Sequence, residues 1–170
     1  KKMIESKKLG KIFKCRIFYG NGTSALVRKS KWRDKGMGVL TDIGSHLIDI
    51  CLYWFGKKVK SLRAIDLNKF ENKALDNATI KLELNRIKIE LEMSLCMWKN
   101  TFVCDLIASK GSAHLNSLCK WNNSVFIYRK RKIPSGLPSE KYVSFKKGDP
   151  TWEKEYLYFK SLVGKKSQKF

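Results

Sequence analysis

The chain has 170 residues, 43% of them hydrophobic and 12% aromatic, enough apolar material for one domain with its own core and too much for a disordered segment. It has no run of about 18 uncharged apolar residues, which excludes a spanning helix, and its start, KKMIESKKLGKIF, lacks the apolar centre of a secretory signal, so a cytoplasmic location is expected. The net charge of +21 invites a polyanion, but lysine outnumbers arginine and is spread through every predicted element. Only YRKRK at 128–132 is dense, whereas nucleic-acid readers concentrate charge and favour arginine forks.

MIESKKLG reads as the last turns of a helix ended by Gly10. KIFKCRIFY alternates with period two and predicts a strand. GNGTSALVRKSKWRDKG follows as a loop or irregular stretch. It contains G-x-G-x-x-A at Gly20, Gly22 and Ala25, the spacing of a dinucleotide-binding turn. That fingerprint requires a following helix of about a dozen residues with an apolar stripe, then a second parallel strand ending in an acid. LVRKSKWRDKG offers neither, so no cofactor site is expected in this chain.

GVLTDIGSHLIDICLYWFG predicts a helix ending at Gly56. From Val59 the period changes to two, and VKSLRAID, NATIKLEL, IKIELEMSL, TFVCDLIAS, SAHLNS, SVFIYRK and KYVSF predict a meander of strands. NATIKLEL and IKIELEMSL meet at Asn85-Arg86, a spacing for a tight hairpin. Ile80, Leu82, Ile89 and Leu91 then share a greasy face, and Lys81, Glu83, Lys88, Glu90 and Glu92 the wet one. GDPTWEKEYLYFKSLVG predicts an amphipathic helix with Asp149 as N-cap, Pro150 at its first position and Gly164 as its stop. The expected fold class is α+β: an open, mostly antiparallel sheet with helices packed on one face.

Cys15, Cys51, Cys96, Cys104 and Cys119 are odd in number and widely spaced, as reduced core residues are. In a cytoplasmic protein the sequons at Asn21, Asn77 and Asn122 carry no glycan. Asp42, Ser45, His46 and Asp49 recur every three or four residues and share one stripe of an otherwise apolar helix. Two readings follow from the residues alone. Asp42 is an N-cap and His46 a satisfied core histidine, or the pair supplies an acid/base group with an orienting carboxylate. A metal site lacks a third ligand, because the other histidine, His114, lies in a separate short strand.

GVLTDIGSHLIDICLYWFG resembles the G-x-L-x-D-x-G-x-H-x-x-D helix of the glucose-fructose oxidoreductase, inositol dehydrogenase and rhizopine-catabolism (Gfo/Idh/MocA) family. The resemblance continues in order through KKLGKIFKCRIFYGNGTS, WRDKGMGVL, ASKGSAHL and DPTWEKEYLYFKSLV. It implies that residues 1–170 are a single C-terminal substrate-binding and oligomerisation domain, with a dihydrodipicolinate reductase-like sheet. The N-terminal Rossmann domain, with the E-K-P lysine and the main NAD or NADP site, would be absent from this chain. It implies dehydrogenation of a sugar, inositol or related polyol. His46 would handle the hydroxyl proton, and Asp42 would contact substrate or relay a proton. Residues 19–33 would reach the substrate, with Asn21, Trp32 and Arg33 as contacts, while Lys29, Lys31 and Lys35 are expected to be solvated. It further implies a homo-oligomer formed through the charged sheet face. The alternative from another class is a non-catalytic interaction or nucleic-acid-binding domain on the same scaffold.

Overall fold

A computed structural model of the chain describes residues 1–146 and 148–163. After the short helix α1 (Lys2–Glu5) the chain enters strand β1 (Ile12–Gly20), makes helix α2 (Ser24–Arg28), and reaches helix α3 (Ser45–Phe55) through a π-helical turn at Leu40–Gly44. Seven strands follow: β2 (Val59–Asn68), β3 (Asn77–Leu84), β4 (Ile87–Ser94), β5 (Thr101–Ala108), β6 (Gly111–Asn116), β7 (Ser124–Lys130) and β8 (Ser139–Phe145). Helix α4 (Thr151–Leu162) closes the described chain.

The strands form one eight-stranded sheet in the order β2-β3-β4-β1-β5-β6-β7-β8. Every neighbouring pair is antiparallel except β1 with β4. The expected open, mostly antiparallel sheet is therefore present. The long excursion from β1 through α3 and the β2–β3 hairpin is what lets β4 return parallel to β1.

Period-two patterning decides the faces. Cys15 and Ile17 of β1, Ile80, Leu82 and Leu84 of β3, Ile89, Leu91 and Met93 of β4, and Phe102, Cys104 and Leu106 of β5 are buried on one face. Leu47, Cys51 and Phe55, spaced by four on α3, complete that core. Replacing Leu47, 2% exposed, with Ala would cost about 3 kcal/mol through lost burial and the cavity left behind. The neighbouring Cys104 and Cys51 thiols, and after them burial, push the Cys15 thiol far above the ordinary range. All five cysteines are free.

Several local expectations move. The first helix ends at Glu5 rather than near Gly10, since Lys7 already turns left-handed at φ 55. The stretch read as irregular contains α2, a helix too short to show a period. Helix α4 begins at Thr151, with Pro150 preceding it, although Asp149 still accepts the Thr151 N–H at 3.0 Å. The Thr151 hydroxyl and N–H hold the Asp149 carboxyl below its usual range. Gly164, the expected stop, lies outside the described residues. No residue of α4 is buried, so the expectation that helices pack on the sheet holds for α3 and not for α4. The outermost strand β8 likewise has no buried residue, so that edge lacks a closed core on which α4 could bury its Trp152, Tyr156 and Phe159 stripe.

Candidate functional site

Of the residues singled out by sequence, Trp32, Arg33 and Asp42 meet around the segment before α3, whereas His46 and Asn21 are not among the residues lining the cavity they form. Gly38 makes the bend possible. Its φ is +45, and a methyl there would lie 2.1 Å from the Leu75 carbonyl oxygen, which only glycine avoids. Val39 N–H donates to that same carbonyl at 2.7 Å, and buried Asp34 accepts the Ala74 N–H at 2.8 Å. The segment before α3 is thus fixed onto residues 69–75 before any ligand arrives.

On this support the π-helical turn presents Asp42 outward while burying Ile43 and Gly44. Arg33 Nη2 donates to Asp42 Oδ2 at 2.7 Å, a charge-assisted bond between two partly exposed groups. Trp32 is exposed, and the Arg33 guanidinium lies 6.0 Å from its ring centre. These three residues, with Lys35, Thr41 and Leu95, line a cavity of about 340 Å³. Lys35, expected in free solvent, is exposed but belongs to this wall.

His46 lies four residues after Asp42 and is exposed, with no hydrogen-bond or ion-pair partner among the described residues. It is not a core histidine, and Asp42 is not an N-cap: its carboxylate is held by Arg33, and no side chain caps α3. Ser45 and Asp49 are exposed on the same stripe, while Leu47 and Cys51 turn into the core. Asn21 is placed apart. Its Oδ1 accepts the Thr23 N–H at 3.2 Å and the Thr23 hydroxyl at 2.6 Å, which closes the turn after β1. Sequence reasoning passed over Tyr19 as an individual residue. Burial, and after it the charge of Asp42, pushes its phenol above the ordinary value, which places it within reach of that carboxylate's field. Its period-two position in β1 marks it only as a core residue.

The glycine pattern does not form a dinucleotide cradle. A methyl at Gly20 would meet the Met97 side chain at 2.4 Å, and one at Gly22 the Met97 carbonyl oxygen at 2.3 Å. The glycines admit the protein's own β4–β5 loop, and the five-residue α2 that follows is too short to serve a phosphate. The second histidine is paired elsewhere: His114 bonds Asp105 at 2.6 Å and Ser112 at 2.8 Å on the open face of the sheet. No group of His, Cys, Asp and Glu suited to a metal ion occurs among the described residues.

Residues 1–114 match a protein family described as the GFO/IDH/MocA C-terminal domain. No curated protein matches the sequence. Among solved structures, one described as an NADPH-dependent oxidoreductase from Desulfitobacterium hafniense DCB-2 is similar with a TM-score of 0.80 at 17% identity, over 98% of this chain and 51% of its own. Levoglucosan dehydrogenase in complex with NADH and L-sorbose is similar with a TM-score of 0.67 at 19% identity, over 89% and 43%. An NAD binding oxidoreductase from Klebsiella pneumoniae gives 0.67 at 13%, over 90% and 44%. At these identities the likeness is one of fold, and the chain spans about half the length of the solved structures it matches.

Proposed function

Because the chain belongs to the GFO/IDH/MocA C-terminal domain family, we propose that it is the substrate-side domain of an NAD- or NADP-dependent oxidoreductase acting on a secondary alcohol of a sugar, inositol or related polyol. The observation that carries this reading is the imidazole of His46, exposed and without a partner among the described residues, one helical turn beyond a carboxylate that Arg33 holds in the wall of a cavity. The names of similar structures support it, since levoglucosan dehydrogenase was captured with NADH and L-sorbose.

In this reading the dinucleotide sits on a separate N-terminal Rossmann domain, and when bound it supplies the hydride acceptor. The residues of this chain deal with the hydroxyl and its proton. His46 takes the proton, a role for which imidazole is suited near neutral pH. Asp42 aligns the hydroxyl or steadies the imidazolium, and Arg33 fixes the direction of its carboxylate. Trp32, beside the same cavity, offers a flat surface to a sugar ring, and Asn21 shapes the turn that leads to it. The open face of the sheet, mixed in charge, meets a second copy of the chain.

The test uses the intact protein with its dinucleotide-binding half. His46→Ala is expected to lower kcat about 10²-fold or more, the range for a lost general base. The melting temperature should hardly change, because the residue is exposed. Asp42→Asn is expected to raise KM, lower kcat, or both. Turnover that survives His46→Ala overturns the assignment. The competing nucleic-acid reading rests on net charge alone. Oligonucleotide binding that is useful at about 0.15 M salt and falls steeply with added salt would support it instead.

A further inference from the structure

The dense cationic run at 128–132 does not stand alone in space. The β5–β6 turn lies against the start of β1: Lys110 N–H donates to Leu9 O at 3.0 Å, Ser109 N–H to Lys11 O at 2.9 Å, and Lys11 N–H to Ser109 Oγ at 2.9 Å. Just past β7, Arg131 N–H donates to Lys110 O at 2.9 Å. Gly111 permits this closeness, since a methyl there would lie 2.0 Å from the Arg129 carbonyl oxygen. Three segments distant in sequence thus set Lys8, Lys11, Lys110, Lys130, Arg131 and Lys132 at one end of the sheet, all of them exposed.

No carboxylate offsets these charges. The sequence has no Asp or Glu over 6–33 or over 106–139, and Glu140, the next acid, is held by Arg129. Among the described residues none of these cations forms an ion pair. Like charges held together by the backbone repel one another, and an anionic surface relieves that repulsion. The cluster is also remote from the Asp42 cavity: β1 starts at Ile12 beside the cations and ends at Gly20, roughly 26 Å further on at the strand's rise per residue, where Leu95 lines that cavity.

The loop after β7 selects among anions. Residues 131–138 join β7 to β8, and Gly136 lies against Lys132, a methyl there coming within 3.0 Å of the Lys132 Cδ. Ile133 and Leu137 in this loop are 78% and 91% exposed. Two branched apolar side chains turned to solvent among cations have no counterpart on a nucleic-acid backbone, which offers charge and hydrogen-bond acceptors. All the cations but Arg131 are lysines, point charges without the fork that matches a phosphate at two oxygens, and lysine is depleted where proteins meet one another. A bilayer containing anionic lipid satisfies both features. Its headgroups attract clustered lysines, and the acyl boundary beneath them receives apolar side chains carried on a loop.

We propose that this end of the sheet is a peripheral contact for an anionic lipid bilayer. Lys8, Lys11, Lys110, Lys130, Arg131 and Lys132 face the headgroups, and Ile133 and Leu137 enter the boundary between headgroups and acyl chains. The contact is one of surface, since no helix of the described residues is long and apolar enough to cross a membrane. It leaves the Asp42 end of the molecule free.

Cosedimentation of the intact protein, with its dinucleotide-binding half, tests the contact. The vesicles are phosphatidylcholine alone or phosphatidylcholine with about 30% phosphatidylserine. Binding is expected to the mixed vesicles, at least tenfold tighter than to the neutral ones, and to be lost at about 0.5 M salt, where surface charge is screened. The triple change Lys110→Ala, Lys130→Ala and Lys132→Ala should weaken it at least tenfold, as should Ile133→Asp with Leu137→Asp. All five side chains are exposed, so the variants keep the fold, which circular dichroism checks. No binding to the mixed vesicles, equal binding to neutral ones, or binding that either set of changes leaves within twofold overturns the contact. A duplex oligonucleotide that displaces the vesicles and binds the Ile133 and Leu137 variant as well as the unmodified protein assigns the cations to nucleic acid and also overturns it. None of these residues lines the Asp42 cavity, so this inference and the oxidoreductase reading fail separately.

Discussion

Asp76 has no exposed surface and sits at the mouth of β3. Its carboxylate accepts the N–H groups of Phe70 at 2.9 Å, Glu71 at 2.6 Å and Asn72 at 3.0 Å, which offsets the cost of burying a charge. The loop it shapes reaches across to α2, where the Ser24 hydroxyl donates to Glu71 at 2.5 Å and Arg28 pairs with it at 3.4 Å. One carboxylate thus organises the support beneath Arg33 and Trp32. Asp76→Ala would leave three N–H groups without their acceptor and is expected to cost about 3 kcal/mol, read as a lower urea midpoint with unchanged slope. Asp76→Asn, which keeps one acceptor oxygen, should cost less. Destabilisation no larger than that of an exposed substitution would mean that water replaces the carboxylate. Nothing in the sequence marked Asp76, because a polar residue beside a strand reads as a turn. What the sequence did mark was the stripe of Asp42 and His46. The Arg33 partner of Asp42 lies nine positions away across a bend that Gly38 makes, a separation that no helical or strand period links.

Among the elements, the β3–β4 hairpin was the most legible. Strict alternation on both sides of Asn85-Arg86 fixes the register, and the structure pairs Lys81 with Glu90 and Glu83 with Lys88 as the alternation requires. Both turn residues have positive φ, 48 and 67, as the favoured two-residue hairpin demands. Asn85 has a second task that pattern does not reveal: its amide donates to the Phe55 carbonyl and so ties the hairpin to the end of α3. Arg86→Gly removes a side chain that resists φ 67 and should stabilise the protein by about 0.5 kcal/mol. Asn85→Ala loses the bond to α3 and should destabilise it by about 1 kcal/mol. Opposite signs in paired urea melts confirm this division of labour, and equal signs refute it. Helices α2 and α4 were harder to read. α2 has only five residues, and the apolar stripe of α4 faces solvent, where patterning had implied a core.

At the scale of the whole molecule, the two faces of the sheet have different fates. One is closed by α3. On the other, Glu90 is shared by Lys14, Arg16 and Lys81 at 3.7–3.8 Å, and Arg16 also reaches Glu92 at 3.3 Å. Interleaved with these are the partly exposed Phe18 and Val103 and the exposed Ile107. Ion pairs of this kind, open to water, contribute little to the stability of one chain, about 0–1 kcal/mol each. A face that alternates satisfied charges with apolar patches is instead suited to a self-complementary contact, in which each group meets its counterpart across a two-fold axis. We therefore expect the intact protein to be a dimer or larger by light scattering. Ile107→Lys, placed among the apolar patches, should shift it toward monomer while leaving its circular dichroism unchanged. A strict monomer in the unmodified protein would remove the interface and leave this face to solvent. A dimer indifferent to Ile107→Lys would place the contact elsewhere on the molecule.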